Sequence, residues 1–313
     1  MISLVIPSFN EEDNIFPTAK RIKEVLGSAG IAYEIIFVND GSRDLTWQKI
    51  QEASSQDLNV RGLCFSRNFG KEACMSAGLR AAKGDCCVVL DCDLQHPPET
   101  IIEMHRLWKE EGYEVIEGIK RSRGKESLGY RLSAGVFYKM MSRCVGFDMA
   151  SSSDFKLLDR KVVDTLCAMP EKETFFRAMS FWVGYKTTRV EYDVAPRTFG
   201  MTKWSPVKLI RYAATNMTSF SAAPLYLVTW VGLFLLLVSV ILGLQTLVNW
   251  LTGNAVEGFT TVILLLLLVS SCIMISLGII GYYLAKIHME IKGRPQYIVA
   301  RVTPADLEDD KKQ

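Results

Sequence analysis

Two runs in the last third of the chain, residues 225–251 and 259–285, contain no Asp, Glu, Lys or Arg. Each exceeds the roughly 20 apolar residues that a helix needs to cross a hydrocarbon core. A single charge at the centre of such a helix costs about 2.5 to 3.5 kcal/mol on insertion scales. Both runs are therefore expected to span a bilayer; the competing reading is a pair of helices buried in a large soluble core. Lys203, Lys208 and Arg211 precede the first run, Lys286, Lys292 and Arg294 follow the second, and the connection 252–258 carries only Glu257. Lys and Arg accumulate on the cytoplasmic side, so both flanks and both termini are expected there. Tyr226, Trp230, Trp250, Tyr282 and Tyr283 lie near the run ends, where amphipathic rings prefer the interface. Gly232, Gly243, Gly278 and Gly281 permit close helix contact, which leaves room for a homo-oligomer.

The division expected is a soluble domain over 1–204, an interfacial segment over 205–223, the hairpin over 224–285 and a cytoplasmic tail over 286–313. In the interfacial segment Leu209, Ile210, Ala213, Met217 and Phe220 alternate with Lys208 and Arg211. That pattern suits an amphipathic helix on the inner leaflet and equally an ordinary packed helix of the soluble domain. With 36 Lys and Arg against 34 Asp and Glu, the net charge of +2 supplies no field that would draw in nucleic acid. A 49% hydrophobic content argues against disorder and places some of the excess in lipid. The eight cysteines, Cys64, Cys74, Cys86, Cys87, Cys92, Cys144, Cys167 and Cys272, lack C-x-x-C spacing and read as small buried hydrophobes in a reducing compartment. Residues 1–7 lack the basic leader and cleavage site of a secretory signal, so folding is expected to begin in the cytoplasm.

Over residues 1–120, short apolar runs alternate with segments of helical period. Strands are expected at 3–7, 34–39, 60–65, 86–91 and 115–119, with helices near 14–26, 46–53, 70–82 and 98–111. Ile15, Ala19, Ile22 and Leu26 give the first helix one apolar face. Such alternation predicts an α/β fold with a mainly parallel sheet whose ligands bind beyond the carboxyl ends of the strands.

The residues that follow the strands are therefore the candidates. They are Pro7-Ser8-Phe9-Asn10-Glu11-Glu12, Asn39-Asp40-Gly41-Ser42 and Asp91-Cys92-Asp93-Leu94-Gln95-His96-Pro97-Pro98. No G-x-G-x-x-G or G-x-x-x-x-G-K-[ST] follows any strand, which argues against dinucleotide oxidoreductases and P-loop hydrolases. If the fourth strand continues through them, Asp91 and Asp93 share a face and offer two hard oxygen ligands suited to Mg²⁺ or Mn²⁺. A bare D-x-D also serves as a helix cap, and Asp-Gly-Ser is also an ordinary turn.

Together with Arg67-Asn68-Phe69-Gly70-Lys71-Glu72, these clusters resemble family 2 glycosyltransferases with a GT-A fold, a Rossmann-like architecture. The resemblance extends through Ser153-Asp154-Phe155-Lys156, Arg197-Thr198-Phe199-Gly200-Met201-Thr202-Lys203-Trp204 and both apolar runs. It is nearest to the polyprenyl-phosphate branch, the dolichol-phosphate mannose synthases and bactoprenol glucosyltransferases of the GtrB type. The resemblance implies a nucleotide site at Pro7, Phe9, Asn10, Glu11, Asp40 and Asp91, and a metal site of Asp91, Asp93 and Gln95 for Mg²⁺ or Mn²⁺. It further implies catalytic roles for Asp93 and Asp154, and acceptor or diphosphate binding by Lys120, Arg131, Arg197 and Lys203. Asp154 stands either as a general base or as a residue that orients acceptor-site cations. His96 is read as a hydrogen bonder at a helix entry and left out of the metal set, and Cys92 as oxidation-sensitive if exposed.

The implied reaction moves one hexose, from UDP-glucose or a related UDP-hexose, to polyprenyl (undecaprenyl) phosphate with inversion. It would take place at the cytoplasmic face of a bacterial plasma membrane and yield a lipid-linked donor for the cell envelope. A lipid phosphate is already ionised at neutral pH, so positioning outweighs base catalysis. The alternatives are a processive polysaccharide synthase, which would add Q-x-x-R-W and more spans, and an inactive membrane-anchored sugar-nucleotide-binding subunit.

Overall fold

A computed structural model describes residues 1–121, 153–171, 175–193, 223–252 and 258–304. The chain divides into two compact units, Met1–Ser205 with Pro295–Gln313, and Pro206–Arg294.

In the first unit, strands β1 (Ile2–Ser8), β2 (Tyr33–Asn39), β3 (Val60–Phe65) and β4 (Cys86–Val89) are buried almost throughout. Near-continuous apolar runs of this kind belong to strands covered on both faces. Helices α1 (Ile15–Ser28), α2 (Thr46–Gln56), α3 (Lys71–Ala81) and α4 (Glu99–Glu111) lie between and after them. Side chains alternate across the sheet, so Leu4, Ile6, Ile35 and Phe37 join one core, while Val5, Ile36, Val38 and Val89 join the other.

β5 (Val115–Lys120), β6 (Lys156–Asp159), β7 (Thr187–Tyr192) and β8 (Val299–Val302) complete an eight-stranded sheet of order β7-β5-β6-β4-β1-β2-β3-β8. Helices α5 (Arg160–Ala168) and α6 (Phe176–Trp182) connect β6 to β7. β6 runs antiparallel to β4 and β5, and β8 antiparallel to β3; the other pairings are parallel. The mainly parallel sheet expected is present, made mixed by the reversal of β6 and β8. The carboxyl ends of β1, β2, β4 and β5 share one edge, where the candidate loops emerge.

Two further boundaries differ from expectation. β4 ends at Val89 rather than Asp91, where its pairing with β1 and β6 stops, and the chain then turns, with Leu94 in the left-handed region (φ 57°). The segment 286–313 is not one tail: its start continues the second apolar helix to Ile291, and Val299–Val302 covers the outer edge of β3. An open edge is a template for unwanted pairing, and β8 shifts that edge from β3 to a strand of four residues.

The second unit holds α7 (Ala223–Leu251) and α8 (Phe259–Ile291). Both are long and apolar enough to cross a membrane, with mean hydropathy 2.2 over Val228–Gln245 and 1.9 over Leu268–Ile291. Trp230, Phe234, Leu237, Ile241, Met274 and Leu284 are exposed on them, an apolar surface that lipid solvates and water does not.

Candidate active site

Three loops at the strand ends are sewn to one another by their own polar groups. After β1, Asn10 takes a left-handed φ of 55°. Its backbone N–H donates to Ser42 Oγ (3.0 Å), and its side-chain Oδ1 accepts from the Arg43 N–H (3.0 Å). The Glu11 N–H donates to Thr46 Oγ1 (2.9 Å). After β2, the buried Asp40 carboxylate accepts the N–H groups of Phe69 (2.6 Å) and Gly70 (2.9 Å). Burial pushes the Asp40 pKa up, partly offset by those two bonds. Gly41 has φ +63°, and a Cβ there would lie 2.5 Å from the Arg67 carbonyl carbon. Gly41→Ala is therefore expected to force the second and third loops apart. Strain at such a position is worth about 1–3 kcal/mol, readable as a lower unfolding midpoint together with weaker nucleotide binding.

The loops enclose a cleft of about 380 Å³ lined by Pro7, Ser8, Phe9, Glu11, Asp40, Asn68, Gly70, Lys71, Cys74, Asp91, Cys92 and Asp93. Asp91 and Asp93 meet there through the turn rather than through strand alternation. Asp93 Oδ1 accepts the Gln95 N–H (3.1 Å), and the Asp91 N–H donates to His96 Nδ1 (3.1 Å). His96 is buried and stacked on Phe155, centroids 4.8 Å apart, with Tyr192 edge-on at 5.8 Å. Burial lowers its pKa, so the ring is a neutral acceptor that fixes the turn. Cys92 is buried, and burial pushes its thiol up, so the oxidation sensitivity tied to exposure does not arise.

At the inner end of the cleft, Lys71 bridges two carboxylates. Its Nζ lies 2.5 Å from Asp91 Oδ1 and 2.9 Å from Asp154 Oδ2. Arg177, on α6, forks onto Asp154 from the other side, Nε to Oδ1 at 2.6 Å and Nη2 to Oδ2 at 3.0 Å. Burial opposes the charge on Asp154, but Lys71 and then Arg177 hold it far below the usual carboxylate range. Burial likewise opposes the Lys71 ammonium, and Asp91 and Asp154 outweigh it, so its pKa is raised. A carboxylate held so firmly ionised is a poor proton acceptor; this geometry favours the orienting role for Asp154 over the base.

Beneath this group, the buried Lys156 Nζ contacts Glu117 Oε1 (3.1 Å) and donates to Ser180 Oγ (2.9 Å). Glu117 Oε1 also accepts the Ser153 N–H (3.0 Å), and Ser180 Oγ donates to the Arg177 carbonyl (3.1 Å). The segment carrying Asp154 and the helix carrying Arg177 are thereby tied together twice.

A family model described as glycosyl transferase family 2 matches residues 3–167, from β1 through the D-x-D turn and Asp154 into α5. The chain belongs to glycosyltransferase family 2. An uncharacterized glycosyltransferase of Synechocystis is 38% identical over 96% of this chain and 94% of its own length. A prophage-derived bactoprenol glucosyl transferase of Shigella flexneri is 35% identical over 96% and 97%. A prophage bactoprenol glucosyl transferase homolog of Escherichia coli is 36% identical over 96% and 99%. The protein is thus a glycosyltransferase, and its mixed α/β sheet is the GT-A fold of that family.

For a family 2 enzyme, the site gathers Pro7, Phe9, Glu11, Asp40, Asp91 and Asp93 on one cleft. Asn10 and Gln95 are not among its lining residues: Asn10 braces two loops, and Gln95 gives Asp93 its backbone N–H. Lys120 ends β5, exposed on the ligand edge, and its charge contributes to lowering the His96 pKa. Arg131, Arg197, Lys203 and almost all of the 205–223 segment lie outside the described residues. Lys71 and Arg177 had no role assigned from sequence. Lys71 lies within the Arg67–Glu72 motif, whose spacing does not single it out, and Arg177 belongs to no short motif. Among the described residues no three His, Cys, Asp or Glu side chains form a metal cage. Two carboxylates on an open cleft nevertheless fit Mg²⁺ or Mn²⁺, since Mg²⁺ is usually held by one or two carboxylates with substrate phosphates and water.

Glu72 carries a pH dependence. Its Oε2 accepts the Phe176 N–H (2.9 Å), while burial and then the charge of Asp154 push its pKa from 4.5 to about 7. A carboxyl raised in the folded state gives stability that is complete below its unfolded value and lost as pH rises through the folded one. Glu72→Gln is therefore expected to be more stable than the parent at pH 8, by up to about 3 kcal/mol. The difference should shrink towards pH 5, as read by unfolding midpoints across that range.

Proposed function

We propose that this glycosyltransferase moves a single hexose from a UDP-hexose, UDP-glucose foremost, to polyprenyl phosphate at the cytoplasmic leaflet of the bacterial plasma membrane. Transfer inverts C1 and yields a lipid-linked sugar for modification of an envelope polysaccharide. The observation that carries this reading is the Lys71 bridge: one ammonium joins Asp91, on the donor cleft, to Asp154, where an acceptor would enter. Relatives called bactoprenol glucosyl transferase over nearly their whole length support the acceptor.

Topology supports the membrane placement. β8 follows both apolar helices in sequence yet pairs with β3 of the catalytic sheet. Residues on either side of the two helices must then lie on the same side of a bilayer, which two crossings satisfy and one does not. The Lys and Arg on both flanks support the cytoplasm as that side.

Phe9, 45% exposed at the cleft, offers a face for the nucleobase, with Pro7, Glu11 and Asp40 completing that end. Asp91 and Asp93 would hold Mg²⁺ or Mn²⁺, which supplies counter-charge to the leaving diphosphate when bound. The acceptor's phosphate oxygen needs no strong base, in keeping with an Asp154 that stays ionised and orients cations. Lys120, Arg131, Arg197 and Lys203 would draw the lipid phosphate towards C1 from the membrane side.

The test uses the full chain in detergent with Mn²⁺, polyprenyl phosphate and a panel of labelled nucleotide sugars. A chloroform-extractable product from a UDP-hexose is expected, stopped by EDTA and restored by Mn²⁺. A water-soluble polymer instead would make the protein a processive synthase. UDP binding with no product under any metal would make it an inactive binding subunit.

A further inference from the structure

We propose that residues 296–298, which follow both apolar helices in sequence, form a clasp that positions the donor loop 66–70, with Tyr297 as its positioning residue. The inference goes beyond the reading above and rests on it only for the identity of the donor.

The places where these three residues land are the first argument. β3 ends at Phe65 and α3 begins at Lys71, so the loop between them belongs to no regular element. Asn68 and Gly70 of this loop, with Lys71 after it, line the donor cleft. At the loop's entry, the Ile298 carbonyl accepts the Ser66 N–H (3.0 Å). In its middle, Tyr297 stacks on Phe65, and Phe65 meets Phe69 edge-on with centroids 5.8 Å apart. Beyond its exit, Gln296 Oε1 accepts from Ser76 Oγ on α3 (3.2 Å), while Nε2 donates to the Glu171 carbonyl (2.7 Å).

The extent of the edge pairing is the second argument. β8 pairs with β3 over Val299–Val302, and that ladder covers the edge. A strand with no other task would stop where β3 stops. Here the chain also lies alongside Ser66, and the register slips between Cys64 and Phe65, where the loop begins. A slip of this kind re-aims a strand end, as bulges beside active sites do.

What the loop has to hold is the third argument. Gly70 takes φ 100° and opens α3 without a side-chain cap, and the N–H groups of Phe69 and Gly70 go to Asp40 instead. Those bonds depend on where the half-buried Phe69 sits. Its ring leans on Phe65, and Phe65 is held in turn by Tyr297. A loop fixed before its ligand arrives loses less freedom on binding.

The test uses the full chain in detergent and compares the parent with two variants: Tyr297→Leu, which keeps an apolar contact without the ring, and Tyr297→Phe, which keeps the ring. In Tyr297→Leu, amide hydrogen exchange over 66–70 is expected to quicken about tenfold or more, while the turn 91–95 stays within about twofold of the parent. UDP, titrated by calorimetry, should bind Tyr297→Leu about three- to tenfold more weakly, the equivalent of one aromatic pair. Tyr297→Phe should stay within about twofold of the parent in both readings. In the transfer assay, Tyr297→Leu should raise the donor KM and leave kcat within about twofold. Exchange that quickens equally in both segments, UDP affinity within twofold, or a loss confined to kcat would each make Tyr297 a general stabiliser of the fold and overturn the clasp. Should Tyr297→Leu fail to fold, Gln296→Ala, which gives up the bond to Ser76, is read against the same outcomes. A parent that binds no UDP defeats the donor reading, and the exchange pattern then decides the clasp. A parent that binds UDP but forms no lipid-linked sugar defeats the transfer reading, and binding with exchange decides the clasp.

Discussion

Asp93→Asn will leave a folded protein that forms almost no lipid-linked sugar. The substitution preserves shape, and its side-chain carbonyl can still accept the Gln95 N–H that Asp93 Oδ1 accepts, so the turn through Leu94 should persist. What is lost is the negative charge that stands beside Asp91 on the cleft. Loss of a single electrostatic stabiliser of a developing charge costs about 10²–10³-fold in turnover, and loss of a carboxylate from a two-carboxylate metal site belongs at or beyond the upper end. Product extraction measures the rate, and the unfolding midpoint checks the fold. Turnover within tenfold of the parent, with an unchanged midpoint, would remove Asp93 from the catalytic set.

Removal of residues 295–313 is expected to destabilise the catalytic unit by about 3–5 kcal/mol, summed from a lost aromatic stack, hydrogen bonds and a strand pairing. Tyr297 stacks on Phe65 with centroids 5.0 Å apart and planes 13° from parallel. Gln296 donates to the Glu171 carbonyl (2.7 Å) and accepts from Ser76 Oγ (3.2 Å). Arg301 lies over Trp47 at 5.5 Å, and the fully buried Thr303 accepts the Gly62 N–H at 3.0 Å. Without them the edge of β3 is open. Urea unfolding should show a lower midpoint, and the truncated protein should aggregate during purification. An unchanged midpoint would mean that β8 is an ornament on a sheet already complete. Tyr297→Ala, which keeps the strand, should reproduce part of the loss.

β1 to β5 were legible in sequence because strands covered on both faces must be apolar along their whole length, and Ile2–Ser8 or Tyr33–Asn39 can be read as little else. The ligand edge followed, since in a sheet of this kind the loops after the strands are the only ones that converge. β6 and β8 were not legible. Each has four residues, and each is placed by a neighbour that is distant in sequence. Asp91 and Asp93 line one cleft by a route other than strand alternation, because β4 ends at Val89, before either of them. Arg177 was invisible for a different reason. Its meaning comes from a carboxylate 23 residues away, and spacing of that length carries no periodic signal.

The contact between Gly62 and Thr303 spans 241 residues, and that distance sets an order of synthesis. A ribosome releases β1 to β7 first, then both apolar helices, and the strand that closes the sheet last of all. The catalytic unit cannot be finished until both apolar helices have been synthesised. Until residues 299–303 have been made, the outer edge of β3 stays uncovered.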